Sequence, residues 1–314
     1  MGAASTPRVD VGVVTWNTRD LTVEALRRLL DTPTTCELRL LVRDNASTDG
    51  TADAIASRVP EAELDRGDAN LGFAGGVNTI LSRSDAPWFL ALNSDAWPEP
   101  GAIDRMVAIA ERHPRAAAVA PRLERPDGEL EHSTHRFPSV SLAVAAALGP
   151  AVIGRRRARE LLLEGPWGHD EPCEVDWAVG AALLLRRAAL AELGGFDERY
   201  FMYVEDLEWC WRAHQRGWQI HFEPAAVVRH IGNVSGLARY GQRRTATYMA
   251  NTYRFYAEQH GRPAMNVLRA LNVVGAVRNL AAAKLARDQA RADHWRSMVR
   301  AYMGRGGAAD PSRG

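Results

Sequence analysis

The chain has 314 residues, 46% of them hydrophobic and 25% charged, with a formal net charge of +1. That length and apolar content can bury the core of one large domain with an appendage, and they exclude a chain disordered throughout. The near-zero charge leaves no global electrostatic footprint for nucleic acid, and the sequence has no run of about 18 uncharged apolar residues to make a membrane span.

Cys36, Cys173 and Cys210 are odd in number and far apart, without zinc or redox spacing, and suit a reducing cytosolic compartment. Met1 to Val14 lacks the basic start and apolar run of a signal peptide, so a cytoplasmic location is expected. Val9 to Val14 is a short β-branched run that ends in Thr15-Trp16-Asn17 and reads as a strand. Leu21, Ala25, Leu26, Leu29 and Leu30 then recur at helical spacing. Leu38 to Val42 is a second apolar run ending at Asp44-Asn45. Thr51 to Val59 follows as a helix and Ala62 to Leu64 as a third short strand. Gly72 to Leu81 starts Gly-rich and turns helical. Trp88 to Leu92 is a fourth buried strand, ending in Asn93-Ser94-Asp95. Ile103 to Ile109 is helical and Ala117 to Ala120 a strand.

Pro121 to Glu174 carries Pro, Gly, His and the basic run Arg155-Arg156-Arg157, and is expected to be loops with one helix. Val179 to Leu185 predicts a strand, and Ala188 to Leu193 a short helix closed by Gly194-Gly195. Asp206 to Arg216 predicts a helix stopped by Gly217. Trp218 to Phe222 and Val227 to His230 predict two more strands. From about Ala246 the chain is helical and basic, and Gly304 to Gly314 reads as a flexible tail.

Strand and helix alternating at this pace predict an α/β fold with a mostly parallel sheet. Ligands bind such sheets beyond the carboxyl ends of the strands. Asn17, Asp44, Asn45 and Asp95 stand just past those ends, so one site is expected there. Asp95, on a loop after a buried strand, suits a hard divalent cation that leaves room for phosphate oxygens. A turn or a helix cap explains the same residue. The short polar run Asp44-Asn45-Ala46-Ser47-Thr48-Asp49-Gly50-Thr51 can hold the edges of a base and ribose, while Ser47, Thr48 and Asp49 also suit a helix cap. Asp44 lies before that cap and is the less explained. In Asn70-Leu71-Gly72-Phe73-Ala74-Gly75-Gly76-Val77-Asn78, glycines admit a ligand close to the backbone, and N–H groups at a helix start favour an anion. A plain glycine turn is the alternative. The segment is neither the dinucleotide fingerprint nor the phosphate loop with its lysine, which argues against a dehydrogenase or a nucleoside triphosphatase. Glu205 and Asp206 open a helix after an aromatic run, where the dipole favours acids. They point about 100° apart, so one can act as a base while the other braces the loop. His230, past the last strand, is either structural or a metal ligand.

These pieces occur in one order. Val13-Val14-Thr15-Trp16-Asn17, the Asp44 run, the Asn70 run and Leu92-Asn93-Ser94-Asp95 come first. Asp176-Trp177-Ala178-Val179-Gly180-Ala181, Phe196-Asp197-Glu198 through Glu205-Asp206, and His230 follow. Together they resemble the family 2 inverting glycosyltransferases, and within them the bacterial rhamnosyltransferase-like subgroup, over roughly Val9 to Ser235. The resemblance implies a GT-A (Rossmann-like) fold, a mostly parallel sheet flanked by helices with a C-terminal helical extension. Residues 1–240 would be the catalytic domain, and 241–314 a basic helical extension with a flexible tail.

The resemblance also implies roles. Asp44 would bind the donor base, with Thr15, Asn17, Asn45, Asn70, Gly75, Asn78, Asn93 and Ser94 on the donor side. Asp95 and His230 would hold Mg2+ or Mn2+, Asp206 would be the catalytic base, and Trp177, Gly180 and Glu205 would shape the acceptor side. The implied reaction moves a sugar from a nucleoside-diphosphate donor of dTDP or UDP type, with L-rhamnose from dTDP-rhamnose first. The acceptor would be a glycan or polyprenyl-linked hydroxyl in cell-envelope polysaccharide synthesis. Galactofuranose, mannose or glucose transfer, or nucleotide-sugar binding without catalysis, are the alternatives. A nucleotidyltransferase is disfavoured, because Gly12 to Arg19 has no Gly-rich basic loop for a triphosphate. One residue departs from the family pattern: the usual metal motif is Asp-x-Asp, and Asn93 stands in its first position without a charge.

In the C-terminal segment Val267, Leu268, Leu271, Val274, Leu280 and Leu285 alternate with Arg269, Arg278, Lys284 and Arg287. They suit either an amphipathic helix on an anionic bilayer, a peripheral contact at the inner face of the cell membrane, or a packed helix with a solvated basic face.

Overall fold

The computed structural model describes residues 6–148, 170–232 and 244–304. The run Arg155-Arg156-Arg157 and the tail after Gly304 lie outside the described residues. Two compact units are present: residues 6–135 with 170–232, and residues 136–148 with 244–304.

The first unit begins β1 (Arg8–Thr15), α1 (Arg19–Asp31), β2 (Glu37–Asp44), α2 (Thr51–Arg58), β3 (Glu63–Arg66) and α3 (Gly72–Leu81). It continues through β4 (Trp88–Asn93), β5 (Ala96–Pro98), α4 (Ala102–Arg112), β6 (Ala116–Glu124), β7 (Leu130–Glu131) and β8 (Thr134–His135). The chain then forms α5 (Val140–Leu148) in the second unit. It returns as β9 (Cys173–Val175), β10 (Trp177–Ala178), β11 (Ala182–Arg186), α6 (Arg187–Leu193), α7 (Glu205–Gln215) and β12 (Gln219–His230).

The main sheet runs β3-β2-β1-β4-β11-β6-β12-β5. Val9, Val11 and Val13 of β1 are buried together with Asp10, whose Oδ2 accepts the N–H groups of Asp85 and Ala86 at 3.1 and 3.2 Å. A central strand of this kind is apolar on both faces because helices cover both. Ile103, Met106, Val107 and Ala110 give α4 one buried stripe at i, i+3, i+4 and i+7. β1 lies between β2 and β4, so the chain winds outward to β3 and then crosses back to β4. That reversal opens a crevice beyond the carboxyl ends of β1 and β4.

The sheet is mixed as well as parallel. β3, β2, β1 and β4 run parallel, as do β6 and β12, but β11 is antiparallel to both of its neighbours. Trp218 to Phe222 and Val227 to His230, expected as two strands, are parts of the single strand β12. Its pairing with β6 shifts register between Glu223 and Val227, at Pro224, which has no N–H to donate. The expected strand from Val179 begins only at Ala182. Val179 N–H instead donates to Ser133 O at 2.9 Å and Gly180 N–H to Asp206 at 2.8 Å. The stretch expected as loops contributes β7, β8 and β9.

In the second unit α5 packs with α8 (Arg244–His260), α9 (Arg262–Leu285) and α10 (Gln289–Tyr302) around Ala143, Met249, Tyr253, Tyr256, Leu268 and Ala301. Asp288 caps α10 by accepting the Arg291 N–H at 3.0 Å. Among the described residues no helix is long and apolar enough to cross a membrane.

Candidate active site

Parallel register sets Thr15, at the end of β1, beside Asp44, at the end of β2. The Thr15 hydroxyl is buried against those of Thr18 and Thr22 at 3.0 and 2.8 Å. Asn17 stands at φ 52, a left-handed conformation that Asn tolerates. Its Oδ1 accepts the Thr48 N–H at 2.8 Å, and its own N–H donates to Ser47 Oγ at 2.9 Å. Asn17 therefore ties the loop after β1 to the loop after β2. Asp44 is 3% exposed. Its Oδ2 accepts the Ser47 N–H at 3.0 Å, while the buried Oδ1 has no partner among the described residues. A buried acceptor left unpaired costs about 1–3 kcal/mol or more, so this oxygen suits an incoming donor.

Asn45 and Asn70 hold the glycine-rich turn. Asn45 Nδ2 donates to Gly72 O at 2.9 Å and to Asn70 Oδ1 at 3.3 Å, and Asn70 Oδ1 also accepts the Gly72 N–H at 2.9 Å. Gly72 has φ +73, and a Cβ there would stand 2.1 Å from Phe201 O. Gly72→Ala should therefore destabilise the fold by about 1–3 kcal/mol. A thermal melt should show a lower midpoint, and an unchanged midpoint would contradict the close approach. Gly75 is buried on α3, next to Leu71 and Glu198. Asn78 uses its amide as a clamp: it donates to Phe196 O at 2.8 Å and Glu198 Oε1 at 2.9 Å, and accepts the Phe196 N–H at 2.8 Å.

A second cluster forms where β4 passes into β5. β5 pairs antiparallel with β12, with Ala96 opposite His230, which brings His230 against Asp95. His230 Nε2 lies 3.3 Å from Asp95 Oδ1 and 3.3 Å from Asn93 Nδ2, while Nδ1 lies 2.7 Å from Glu131 Oε2. Asp95, Ser94 and His230 are all buried. Burial disfavours the imidazolium, but hydrogen bonds to Asp95 and Glu131, and their charges, override it and hold His230 at about 9. Asp95 Oδ2 is buried without a partner among the described residues.

These groups fit a hard divalent cation. A carboxylate with one unpartnered oxygen lies beside an imidazole whose other nitrogen is held by a second carboxylate, the arrangement that orients a metal-binding histidine. Among the described residues no three His, Cys, Asp or Glu side chains are grouped to hold a metal alone. Mg2+ and Mn2+ sites that take phosphate oxygens from a substrate need few protein ligands.

The third cluster opens α7. Asp206 Oδ2 accepts the Gly180 N–H and Oδ1 accepts the Leu207 N–H, each at 2.8 Å. Burial lifts the Asp206 carboxyl above its ordinary range, against the pull of these N–H groups. Glu205 is 5% exposed, and its Oε2 is buried without a partner among the described residues. Burial, and then the charge of Asp206, push its carboxyl well above the usual range. Tyr203 and Val204 enter the helix at φ 70 and 81. That is a strained conformation for a β-branched residue, worth about 1–3 kcal/mol. Trp177 stacks on His135 with ring centroids 4.6 Å apart.

Backbone hydrogen bonds join the clusters. Asn93 N–H donates to Ala181 O at 2.9 Å, one residue from the Gly180 that holds Asp206. Phe73 N–H, beside the Asn45–Gly72 bond, donates to Phe201 O at 3.0 Å. Glu131 was not picked out by sequence, nor was the left-handed backbone at Tyr203 and Val204 within the motif. Glu131 lies in a stretch with no clear periodicity, and a left-handed Val leaves no sequence signal.

A solved structure shares this architecture. A mannosyltransferase from Pyrobaculum calidifontis, solved with GDP-Man and Mn2+, matches with a TM-score of 0.63 at 20% identity, covering 96% of this chain and 86% of that one. The fold is that of the GT-A glycosyltransferases. Residues 10–170 match the profile described as Glycosyl transferase family 2. N-acetylglucosaminyl-diphospho-decaprenol L-rhamnosyltransferase of Mycobacterium tuberculosis (strain ATCC 25618 / H37Rv) is 35% identical over 242 residues, 70% of this chain and 75% of that one. A galactofuranosyl glycosyltransferase of Leishmania donovani is 26% identical over 192 residues, 54% of this chain and 44% of that one. The chain therefore belongs to glycosyl transferase family 2, and it is a glycosyltransferase.

Proposed function

We propose that the first unit transfers L-rhamnose from dTDP-rhamnose, with inversion, to a hydroxyl of a polyprenyl-diphosphate-linked acceptor. The observation that carries the sugar and the acceptor is the 35% identity to the rhamnosyltransferase over 70% of the chain. Galactofuranose is the second reading, supported by the more distant relative.

The three clusters support a role for each residue. The unpaired Asp44 Oδ1 can only accept, and it would take the imide N–H of thymine or uracil. Asp95 and His230 would hold Mg2+ or Mn2+, which when bound would neutralise charge growing on the departing diphosphate. Glu131 orients His230 through Nδ1. Asp206, aimed by Gly180 and Leu207, takes the proton of the acceptor hydroxyl as that oxygen attacks the anomeric carbon opposite the diphosphate. Attack from that face inverts the anomeric centre. Glu205 and Trp177 would shape the acceptor side.

Incubating the full chain with dTDP-rhamnose, UDP-galactofuranose and GDP-mannose, each with Mn2+ and a short-chain prenyl-diphosphate N-acetylglucosamine, tests this reading. A product from dTDP-rhamnose with inverted anomeric configuration by NMR is expected. Turnover confined to another donor would overturn the choice of sugar. Glu131→Gln should lower Mn2+ affinity about 10–100-fold, the usual effect of losing the group behind a metal-binding histidine. Unchanged Mn2+ binding in a calorimetric titration would remove Glu131 from the site.

The second unit supports peripheral membrane contact. Val267, Val274 and Leu285 of α9 are exposed, and spacings of near-whole turns place them along one line. Between residues 244 and 304, ten Arg or Lys stand against Glu258, Asp288 and Asp293. Exposed apolar side chains amid this charge suit an anionic bilayer. Flotation with phosphatidylglycerol vesicles should carry the full chain, and Val274→Glu with Leu285→Glu should leave it at the bottom. Equal flotation of both proteins would contradict the assignment.

A further inference from the structure

The second unit also contains an open pocket, bounded by one face of α8, the first turns of α9 and the end of α10, with a volume of about 340 Å³. Its size falls in the range of small-ligand sites. The α8 wall is cut back by alanines, Ala250 among them, which leaves the space open. Tyr253 and Met265 supply larger apolar surface. Arg254, Arg262 and Arg269 supply the charge, and among the described residues no acidic side chain lines the pocket.

Each arginine is held differently. Arg269 Nε donates to Tyr302 O at 2.8 Å, and its guanidinium lies 5.8 Å from the Tyr253 ring centroid, which fixes it at the pocket wall. Arg254 also pairs with Glu258 at 3.0 Å. Arg262 makes no ion pair with a described residue and opens α9, whose first turn has neither an acid nor a side-chain cap. The positive end of a 24-residue helix therefore adds to the arginine charge. α9 contains no Asp or Glu along its length. Arg262 and Arg269 have no acidic partner among the described residues, so their charges repel one another unless an anion enters.

We propose that this pocket binds a phosphate ester whose remainder is apolar. The arginines would take the phosphate oxygens in the forked geometry that guanidinium offers, and Tyr253, Met265 and the alanine wall would cover the hydrocarbon beside it. The site stands apart from the sugar-transfer reading, because every residue it uses belongs to the second unit.

Isothermal titration of the full chain with dihexanoyl phosphatidic acid, kept below its aggregation concentration, tests the proposal without a bilayer. Inorganic phosphate and octyl glucoside serve as the other arms. Saturable binding of the phosphatidic acid is expected, with inorganic phosphate at least tenfold weaker and octyl glucoside not bound. Arg262→Ala should weaken binding at least tenfold. Ala250→Trp should do the same by filling the space from an exposed position without changing charge. Neither change touches the unit core, so thermal midpoints should stay where they are. Absence of saturable binding, equal affinity for inorganic phosphate, or unchanged affinity in both variants would overturn the proposal.

Discussion

Replacing Asp206 with Asn should lower kcat by about 10²–10⁴-fold, the usual share of a general base, while donor binding stays unchanged. The geometry singles out this residue. Two backbone N–H groups, from Gly180 and Leu207, grip its two oxygens at 2.8 Å and fix the carboxylate plane. An amide in its place can accept one of these bonds but cannot take a proton from the acceptor. A thermal melt of Asp206→Asn separates this chemical loss from any loosening of the α7 entry. The pH profile gives a second readout. Burial raises the Asp206 carboxyl, and burial together with the Asp206 charge raises Glu205 further. A base works only when deprotonated, so kcat/KM should fall as the pH drops through the raised value. That acid limb should lie above the ordinary carboxylate range of about 3.9–4.3. It should be missing from the residual activity of Asp206→Asn. A variant that keeps both the limb and near-normal turnover would move the base elsewhere.

Asp95→Asn should have the second large effect. Mn2+ affinity in the presence of dTDP, read by electron paramagnetic resonance, should fall on the order of 100-fold or more, beyond the loss typical of an outer-shell change. Two features make the expected loss large. Asn93 brings no charge to the motif, so Asp95 is its only carboxylate. Asp95 Oδ2 is also buried without a partner among the described residues, so a cation would satisfy it. The same change removes one of the two carboxylates that hold His230 at about 9, so imidazole protonation followed by NMR should shift downward in the metal-free protein. Intact Mn2+ binding would show that the cation is held by other groups.

Strands β1, β2 and β4 were readable because each carries a short apolar run closed by polar residues, whereas β3 is Glu63-Leu64-Asp65-Arg66 and carries none. Val9, Val11 and Val13 announce β1; Asn17, Asn45 and Asp95 fall beyond strand ends as expected, and Asp44 is the last residue of β2. The direction of β11 was not readable, since an apolar run records burial and not which way a neighbour points. β12 looked like two strands because Pro224 interrupts the run, although the backbone passes through with a shift in register. The His230–Asp95 approach depends on β5, three residues long and too short for periodicity to reveal. Several of the polar residues picked out by sequence hold the loops together in the structure. Asn17, Asn45, Asn70 and Asn78 bind backbone groups of neighbouring loops. Composition cannot distinguish an amide that meets a ligand from one that shapes the loop around it.

The bond from Phe73 N–H to Phe201 O has a practical consequence for engineering. It hangs the approach to Asp206 from the glycine-rich turn that Asn45 and Asn70 hold. The two segments therefore form one exchange unit, though more than a hundred residues of chain separate them. Grafting a foreign glycine-rich turn to change the donor would retune the acceptor side as well, unless residues 70–78 and 196–206 are transplanted together. Chimeras that respect this unit should keep turnover, while those that split it should keep their fold and lose their rate.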